Sequence, residues 1–424
     1  TAEYRFIPAI MKAKELINKT RDTSFGRFAV LVRTHARALA VAGIMDNMGV
    51  PCVTVEEYEF FRRQEIKDAI AWLKLILNPY DVGAFRRALT RPTRGVGPST
   101  LETIVQRGGT CGLILADFLN LDALEMGDPL NPLLSAVGEN RVVVLDTETT
   151  GVNPNRDEVV EIAASRFSPQ GESAPFHALI ANTVSVAQTT HLHGWTDDYL
   201  RQHGRPARDV FGDLVRYLDN TVVVGHNLLF DLRIVTSHAE RAGVDFPSVT
   251  WFDTMDLAKR FLPGLPSYAL ESICARLKLG DRPTHKADQD VSATAALLGK
   301  LLPKASETSP ARSALLTRYR TQFQEVARLV HAWREEAKKL RPANMLTAVL
   351  KESGLYEFYR GHKADRRVQH LDQLTDLFRE RDEPSLKPLD ALRQLVEFTS
   401  LARNVDHLSA DTNRIPVITI HQAK

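Results

Sequence analysis

Short apolar runs alternate with amphipathic stretches over the first hundred residues. Phe28-Ala-Val-Leu-Val32 is continuously apolar, the pattern of a strand buried on both faces. The stretch from Ala36 to Met48 reads as a helix closed by Gly49, before a second short strand near Cys52–Val55. Ile66, Ile70, Leu73 and Leu77 then recur at helical spacing, which predicts a strongly amphipathic helix ending at Asn78-Pro79. Residues 108–140 carry scattered Gly, Pro and Asn and are expected to form an irregular connection with a short helix.

The middle of the chain has a different rhythm. Val142–Leu145, Val159–Phe167 and Phe176–Ile180 read as three successive strands. A helix near Val210–Leu218, a strand Val222–Val224, a helix from Leu228 and a short strand at Trp251-Phe252 follow. Helices near Tyr268–Leu277 and Ala287–Leu302 complete the block. Three strands and then alternating helix and strand predict a mixed α/β sheet with helices on both faces. Pro303 to Pro310 reads as a linker, and the chain from there to about Arg403 is nearly all helical in pattern, before a last strand-like run from Ile415 to Ile420.

A length of 424 residues exceeds one compact core and points to two or three domains. With 44% hydrophobic and 25% charged residues the composition is that of a globular chain, not a disordered one. No run approaches the ~18–20 apolar residues of a membrane span, so no membrane partner is expected. Cys52, Cys111 and Cys274 are far apart and odd in number, which fits neither a disulfide framework nor a zinc site and suits a reducing, cytoplasmic setting. The net charge of +2 is uninformative, but charge is uneven. Arg86, Arg87, Arg91, Arg94 and Arg107 face only Glu102 between Phe85 and Gly108, and eight basic residues face three acids from Arg312 to Arg341. Such stretches suit a phosphate backbone or, equally, solvated helix faces. Because the chain opens on Thr1 and stops at Lys424 just after a strand-like run, it is expected to be a fragment of a longer protein.

Candidate chemistry concentrates in the middle block. Asp146-Thr147-Glu148 lies at the end of an apolar strand, where side chains project into the crevice beyond a sheet. Carboxylates at i and i+2 leave a strand on the same face, and hard oxygen ligands suit Mg²⁺ or Mn²⁺, although Asp-x-Glu taken alone fits an exposed acidic loop better. Two later segments add acids at element boundaries: Gly225-His-Asn-Leu-Leu-Phe-Asp231 follows a buried strand, and His285-Lys-Ala-Asp-Gln-Asp290 opens a helix.

With Asp146-Thr-Glu-Thr-Thr-Gly151, these segments resemble the DEDDh exonuclease family, which includes the DnaQ-like proofreading subunits. Glu161-Ile-Ala and His193-Gly-Trp-Thr196 are softer marks of the same resemblance, which covers roughly residues 139–302. It implies an RNase H-like mixed-sheet domain and a two-metal 3′→5′ exonuclease using Mg²⁺ or Mn²⁺. Its implied ligands are Asp146, Glu148, Asp231 and Asp290, with His285 as the base; the family spacing selects Asp290 over Asp288. Asp253 and Asp256 are expected to be a helix cap and surface charge. Thr147, Thr149, His193, Trp195, Asn227 and Phe230 are candidates for holding the 3′-terminal nucleotides, although Trp195 and Phe230 read equally well as core.

The flanks resemble the UvrD/Rep-like superfamily 1 DNA helicases. The matching stretches are Ala29-Val-Leu-Val-Arg33-Thr-His-Ala, Phe60-Phe-Arg-Arg-Gln-Glu-Ile-Lys-Asp68, Leu75-Ile-Leu-Asn-Pro79, Arg94-Gly-Val-Gly97-Pro-Ser-Thr100 and Ile418-Thr-Ile-His-Gln-Ala-Lys424. His35 departs from the Asn more usual in the first of these. The resemblance implies a partial α/β second motor domain over 1–78, returning over 404–424. It also implies a mostly helical accessory subdomain over 79–138 and 311–403, with the exonuclease domain inserted over 139–302. Arg94, Gly95 and Gly97 are implied to contact DNA, and Arg33 to reach ATP in the intact helicase only. No Gly-x-x-x-x-Gly-Lys-Ser/Thr loop occurs in the sequence, so ATP binding is expected to need the missing rest of the motor. The expected partner is DNA, single-stranded or at 3′ ends. The alternative to an active nuclease is a catalytically silent module that grips a 3′ end for the helicase.

Overall fold

The computed structural model describes residues 28–54, 60–168, 171–280, 283, 286–361, 365–403 and 415–419. In chain order, β1 (Val30–Val32), α1 (His35–Asn47) and β2 (Cys52–Thr54) are followed by α2 (Gln64–Leu77) and α3 (Val82–Thr90). Helices Pro98–Cys111, Leu121–Met126 and Asn131–Gly138 lead to β3 (Val142–Thr149), β4 (Val159–Ser168) and β5 (Gly171–Leu179). After α4 (Asp197–His203) and α5 (Ala207–Tyr217) come β6 (Val222–Gly225), α6 (Leu228–Arg241), β7 (Thr250–Asp253) and α7 (Thr254–Phe261). Then come a helix at Leu270–Leu277, α8 (Ala287–Glu307), helices Ser309–Glu336, Pro342–Glu352, Leu355–Gly361, Asp365–Glu380 and Pro388–Arg403, and finally β8 (Ile415–Thr419).

The chain divides into two compact units, Glu102–Gln324 and the remainder on both sides of it. In the split unit, β8 lies between β1 and β2 and is parallel to both. Parallel pairing needs a long crossover, which α1 supplies between β1 and β2, burying Val41 and Met45 against Val32, Ile415 and Val417. The helical part of this unit centres on α2, whose Asp68 is fully buried. Asp68 accepts a hydrogen bond from the Tyr359 hydroxyl at 2.5 Å and pairs with Arg87 at 2.5 Å. A charge can be buried there only because these donors replace water.

The continuous unit holds a five-stranded sheet in the order β5-β4-β3-β6-β7. β3, β4 and β5 are antiparallel neighbours, whereas β6 and β7 run parallel to β3. One face, with Val142, Val144 and Ala163, packs on α7, α8 and the helix Leu270–Leu277. The other, with Val143, Leu145 and Ile162, packs on α5 and α6. The mixed sheet covered on both faces is the one the strand pattern predicts.

Two expectations are overturned. Residues 108–140 are largely ordered into short helices, and Pro303–Pro310 is no linker, since α8 continues through Pro303 to Glu307. Pro303 forgoes one intrahelical hydrogen bond, yet burial of Leu301 and Ala305 keeps the helix going. Pro310 falls in the first turn of the next helix, where its missing N–H is no loss. Both corrections share a cause in buried ion pairs that composition does not reveal. Arg312, fully buried, binds Asp128 through Nε (2.8 Å) and Nη2 (2.9 Å) and donates to the carbonyls of Cys111 and Ala305. Arg260 holds Asp117 through both terminal nitrogens at 2.7 and 2.9 Å. Losing one member of such a pair costs about 3–5 kcal/mol. Among the described residues no helix is long and apolar enough to cross a membrane.

Candidate active site

Strand alternation sets the site. Asp146 and Glu148 share the face of β3 that carries Val142 and Val144, so they continue the α8-facing row beyond the apolar core. Asp290 arrives from the first turn of α8. Carboxylate oxygens of Asp146, Glu148 and Asp290 lie within 4.8 Å of one another. Asp231 comes from the first turn of α6, on the other face of the sheet, and is not part of that triplet. Thr147, one residue along from Asp146, points to that side and donates from Oγ1 to Asp231 Oδ1 at 2.6 Å. Gly225 allows β6 and α6 to come this close. A Cβ there would sit 2.9 Å from the Leu145 carbonyl oxygen and 2.7 Å from Leu228 Cδ1.

The electrostatics are those of a site with too much negative charge. Burial pushes the Asp146 carboxyl well above the usual range, and Asp231, Asp290, Glu148 and Glu161 push it further. Glu148 is pushed up to about 8 by burial, then by Asp290, Glu161 and Asp231. Burial raises Asp231 to about 7 in spite of the hydrogen bond from Thr147. Clustered oxygen donors that repel one another fit a hard divalent cation, which would supply the missing positive charge.

The remaining predicted residues divide between this cluster and supporting turns. Thr149 Oγ1 donates to the Gly151 carbonyl at 2.8 Å. His193 is buried, and both ring nitrogens serve its own turn: Nδ1 accepts from the Trp195 N–H at 3.0 Å, and Nε2 meets Thr189 Oγ1 at 3.0 Å. Trp195, half-buried, donates from Nε1 to Glu161 at 2.7 Å and stacks on Tyr199. Asn227 is exposed in the left-handed conformation before α6, its N–H bonded to Asp253. Asp253 also caps α7, and Asp256 pairs with Arg260. Phe230 packs partly against the core beneath α6. His285 lies outside the described residues.

In the split unit, Arg33 is exposed at the end of β1. The Arg94 guanidinium stacks over Trp72 and donates to Ser353 O (2.8 Å) and Glu325 (3.0 Å), with only 10% of the side chain exposed. It braces the turn at Gly95, whose φ of +73° favours glycine; Gly97 accepts from the N–H groups of Thr100 and Leu101.

Sequence reading missed His177 on β5, which bonds Glu161 beside the cluster. Its only signal is strand register, invisible until the pairing of β4 with β5 is known.

A family model described as the UvrD-like helicase C-terminal domain matches residues 1–424. A DNA polymerase III PolC-type from Thermotoga maritima is 32% identical over 163 residues, 38% of this chain and 12% of the relative. The 3′-5′ exonuclease DinG of Bacillus subtilis is 27% identical over 169 residues, 40% of this chain and 18% of the relative. The matches thus span less than a fifth of these relatives. Among solved structures, exonuclease X in complex with 5′ overhanging duplex DNA covers 41% of this chain and 99% of its own, at 22% identity and a TM-score of 0.33.

Proposed function

The chain belongs to the family of UvrD-like helicase C-terminal domains, and within that framework we propose that it carries a metal-dependent 3′→5′ exonuclease acting on DNA. The observation that carries this reading is the convergence of Asp146, Glu148 and Asp290 at the end of a mixed sheet, in a chain whose relatives include a protein named as a 3′-5′ exonuclease. The domain is of the DnaQ-like, RNase H-like kind, inserted over about 139–302 into the helicase accessory subdomain.

Asp146, Glu148 and Asp290 would hold one divalent ion, Mg²⁺ or Mn²⁺, and Asp146 with Asp231 and the scissile phosphate a second. Bound there, such ions neutralise charge that builds on the phosphate and make the attacking water more acidic. The protein's own part is orientation and proton traffic. Thr147 fixes the Asp231 carboxylate so that one oxygen is already committed and the other is directed. His285 would take the proton from the attacking water, the general-base part that an imidazole can play near neutral pH. Trp195, Phe230, Asn227 and the 147–149 strand end would hold the 3′-terminal nucleotides. Arg33 would serve ATP only in a complete helicase, and the Gly95–Gly97 turn braced by Arg94 would approach DNA phosphates.

The test is digestion of 3′- and 5′-labelled single-stranded DNA with Mg²⁺, with Mn²⁺ and with EDTA. Loss of nucleotides from the 3′ end that stops in EDTA and in Asp146→Asn is expected. Binding of 3′ ends with no cleavage in either metal would replace the enzyme with a silent end-gripping module. Full activity of Asp146→Asn would sink the ligand assignment.

A further inference from the structure

The sheet register places one more charged group beside the cluster. Glu161 on β4 lies directly opposite Glu148 on β3, and in the next row Asp146 lies opposite Ala163, which in turn lies opposite His177 on β5. Glu161 and His177 are therefore diagonal neighbours on one face, with only the Ala163 methyl in the row between Asp146 and His177. His177 Nε2 reaches Glu161 Oε1 at 2.7 Å. A carboxylate can only accept, so Nε2 carries the proton whether the ring is neutral or charged.

Glu161 itself is 1% exposed. Burial works against its charge, but the hydrogen bonds from His177 and Trp195 outweigh burial and hold its carboxyl below the usual range. The second oxygen accepts from Trp195 Nε1 at 2.7 Å and, at the long limit of 3.5 Å, from the Ala287 N–H. Ala287 is the first residue of α8, three positions before Asp290. The hydrogen bond to Glu161 outweighs burial and, with the charge of Glu161 and then of Asp288 in the first turn of α8, holds the imidazole pKa above its ordinary value. One buried carboxylate thus joins β4, β5, the Trp195 turn and the start of α8.

We infer that His177 is a positioning residue: by holding Glu161 it fixes the first turn of α8, and with it Asp290, against the ends of β3 and β4. This rests on reading the cluster as a cation site, since the consequence of moving Asp290 is felt there. His177 is nearly half exposed, its side chain 46% accessible, so its replacement leaves the core intact.

The experiment compares His177→Phe and His177→Ala, which lose the donor, with His177→Gln, which keeps one. Hydrogen exchange of the Ala287 amide is followed in metal-free protein, and Mn²⁺ alone is titrated by calorimetry. Donor-less variants should exchange about 5-fold faster at Ala287, the size of one lost hydrogen bond. They should bind Mn²⁺ about 10-fold more weakly, as other outer partners of metal ligands do. His177→Gln should stay within about 2-fold of wild type in both, because a donor remains. Unchanged exchange in the donor-less variants overturns the inference, as does a His177→Gln variant that fails as badly as they do. If wild type neither binds Mn²⁺ nor cuts DNA, the exonuclease reading falls, while the exchange comparison still decides whether His177 positions α8.

Discussion

Replacing Glu148 by glutamine is expected to stabilise the metal-free protein while disabling it. The Glu148 carboxyl is pushed up to about 8 from an ordinary 4.5, by burial and by Asp290, Glu161 and Asp231. A carboxyl raised in the folded state binds more protons there than in the unfolded chain, so stability falls as pH rises. The loss begins near pH 4.5 and is complete above pH 8. At pH 7 it amounts to at most about 3.4 kcal/mol, from roughly 2.5 pH units at 1.36 kcal/mol each. Glutamine matches the shape and does not ionise. For a unit of this size each kcal/mol shifts the melting temperature by about 2–4 °C, so a gain of several degrees is expected in EDTA at pH 7. The gain should shrink towards zero at pH 4.5. Saturating Mn²⁺ should reverse the order, because binding stabilises only the form with an intact ligand set. Melting curves at pH 4.5, 7 and 8.5, with EDTA or Mn²⁺, check this. A Glu148→Gln protein that melts at or below wild type at pH 7 in EDTA would refute the account of a self-repelling cluster.

Asp290→Ala should reduce nuclease rate at least about 100-fold and Asp288→Ala no more than a few-fold; equal losses in single-turnover digestion would mean that the third motif is misplaced. His285→Ala should lower turnover by about 10²–10⁴ while leaving Mn²⁺ affinity near wild type, and equal loss of metal affinity would make it a ligand instead of the base. Gly225→Ala must push the Leu145 carbonyl and Leu228 apart, costing about 1–3 kcal/mol in denaturant melts and separating Asp146 from Asp231. An alanine variant with wild-type stability and rate would show that the close approach is not needed.

Much of this was legible because the signals are local. Val142–Leu145 and Val222–Val224 are unbroken apolar runs, and Asp146 stands where the first of them ends. What escaped depends on contacts distant in sequence. Pro303 and the Gly- and Asn-rich stretch before Val142 look like breakers, but Arg312 and Arg260 reach 184 and 143 residues back to buried aspartates and fasten that stretch. Arg94, implied by its motif to contact DNA, also has its guanidinium engaged by Ser353 and Glu325, which the motif does not announce. His177 stood unmarked, since neither its type nor its neighbours distinguish it until β5 is laid beside β4.

The place of β8 between β1 and β2 has a consequence for the order in which the protein takes shape during synthesis. β1 and β2 have no partner in each other and wait for residues 415–419. At about 5–20 residues per second, the ribosome needs on the order of 20–70 s to make the intervening chain. The five-stranded sheet lies wholly within that interval, its strands all from Val142 to Asp253, and can close long before β8 emerges. Until then β1 and β2 expose backbone edges open to wrong pairing, so the split unit is the part of the nascent chain that a chaperone would have most reason to hold.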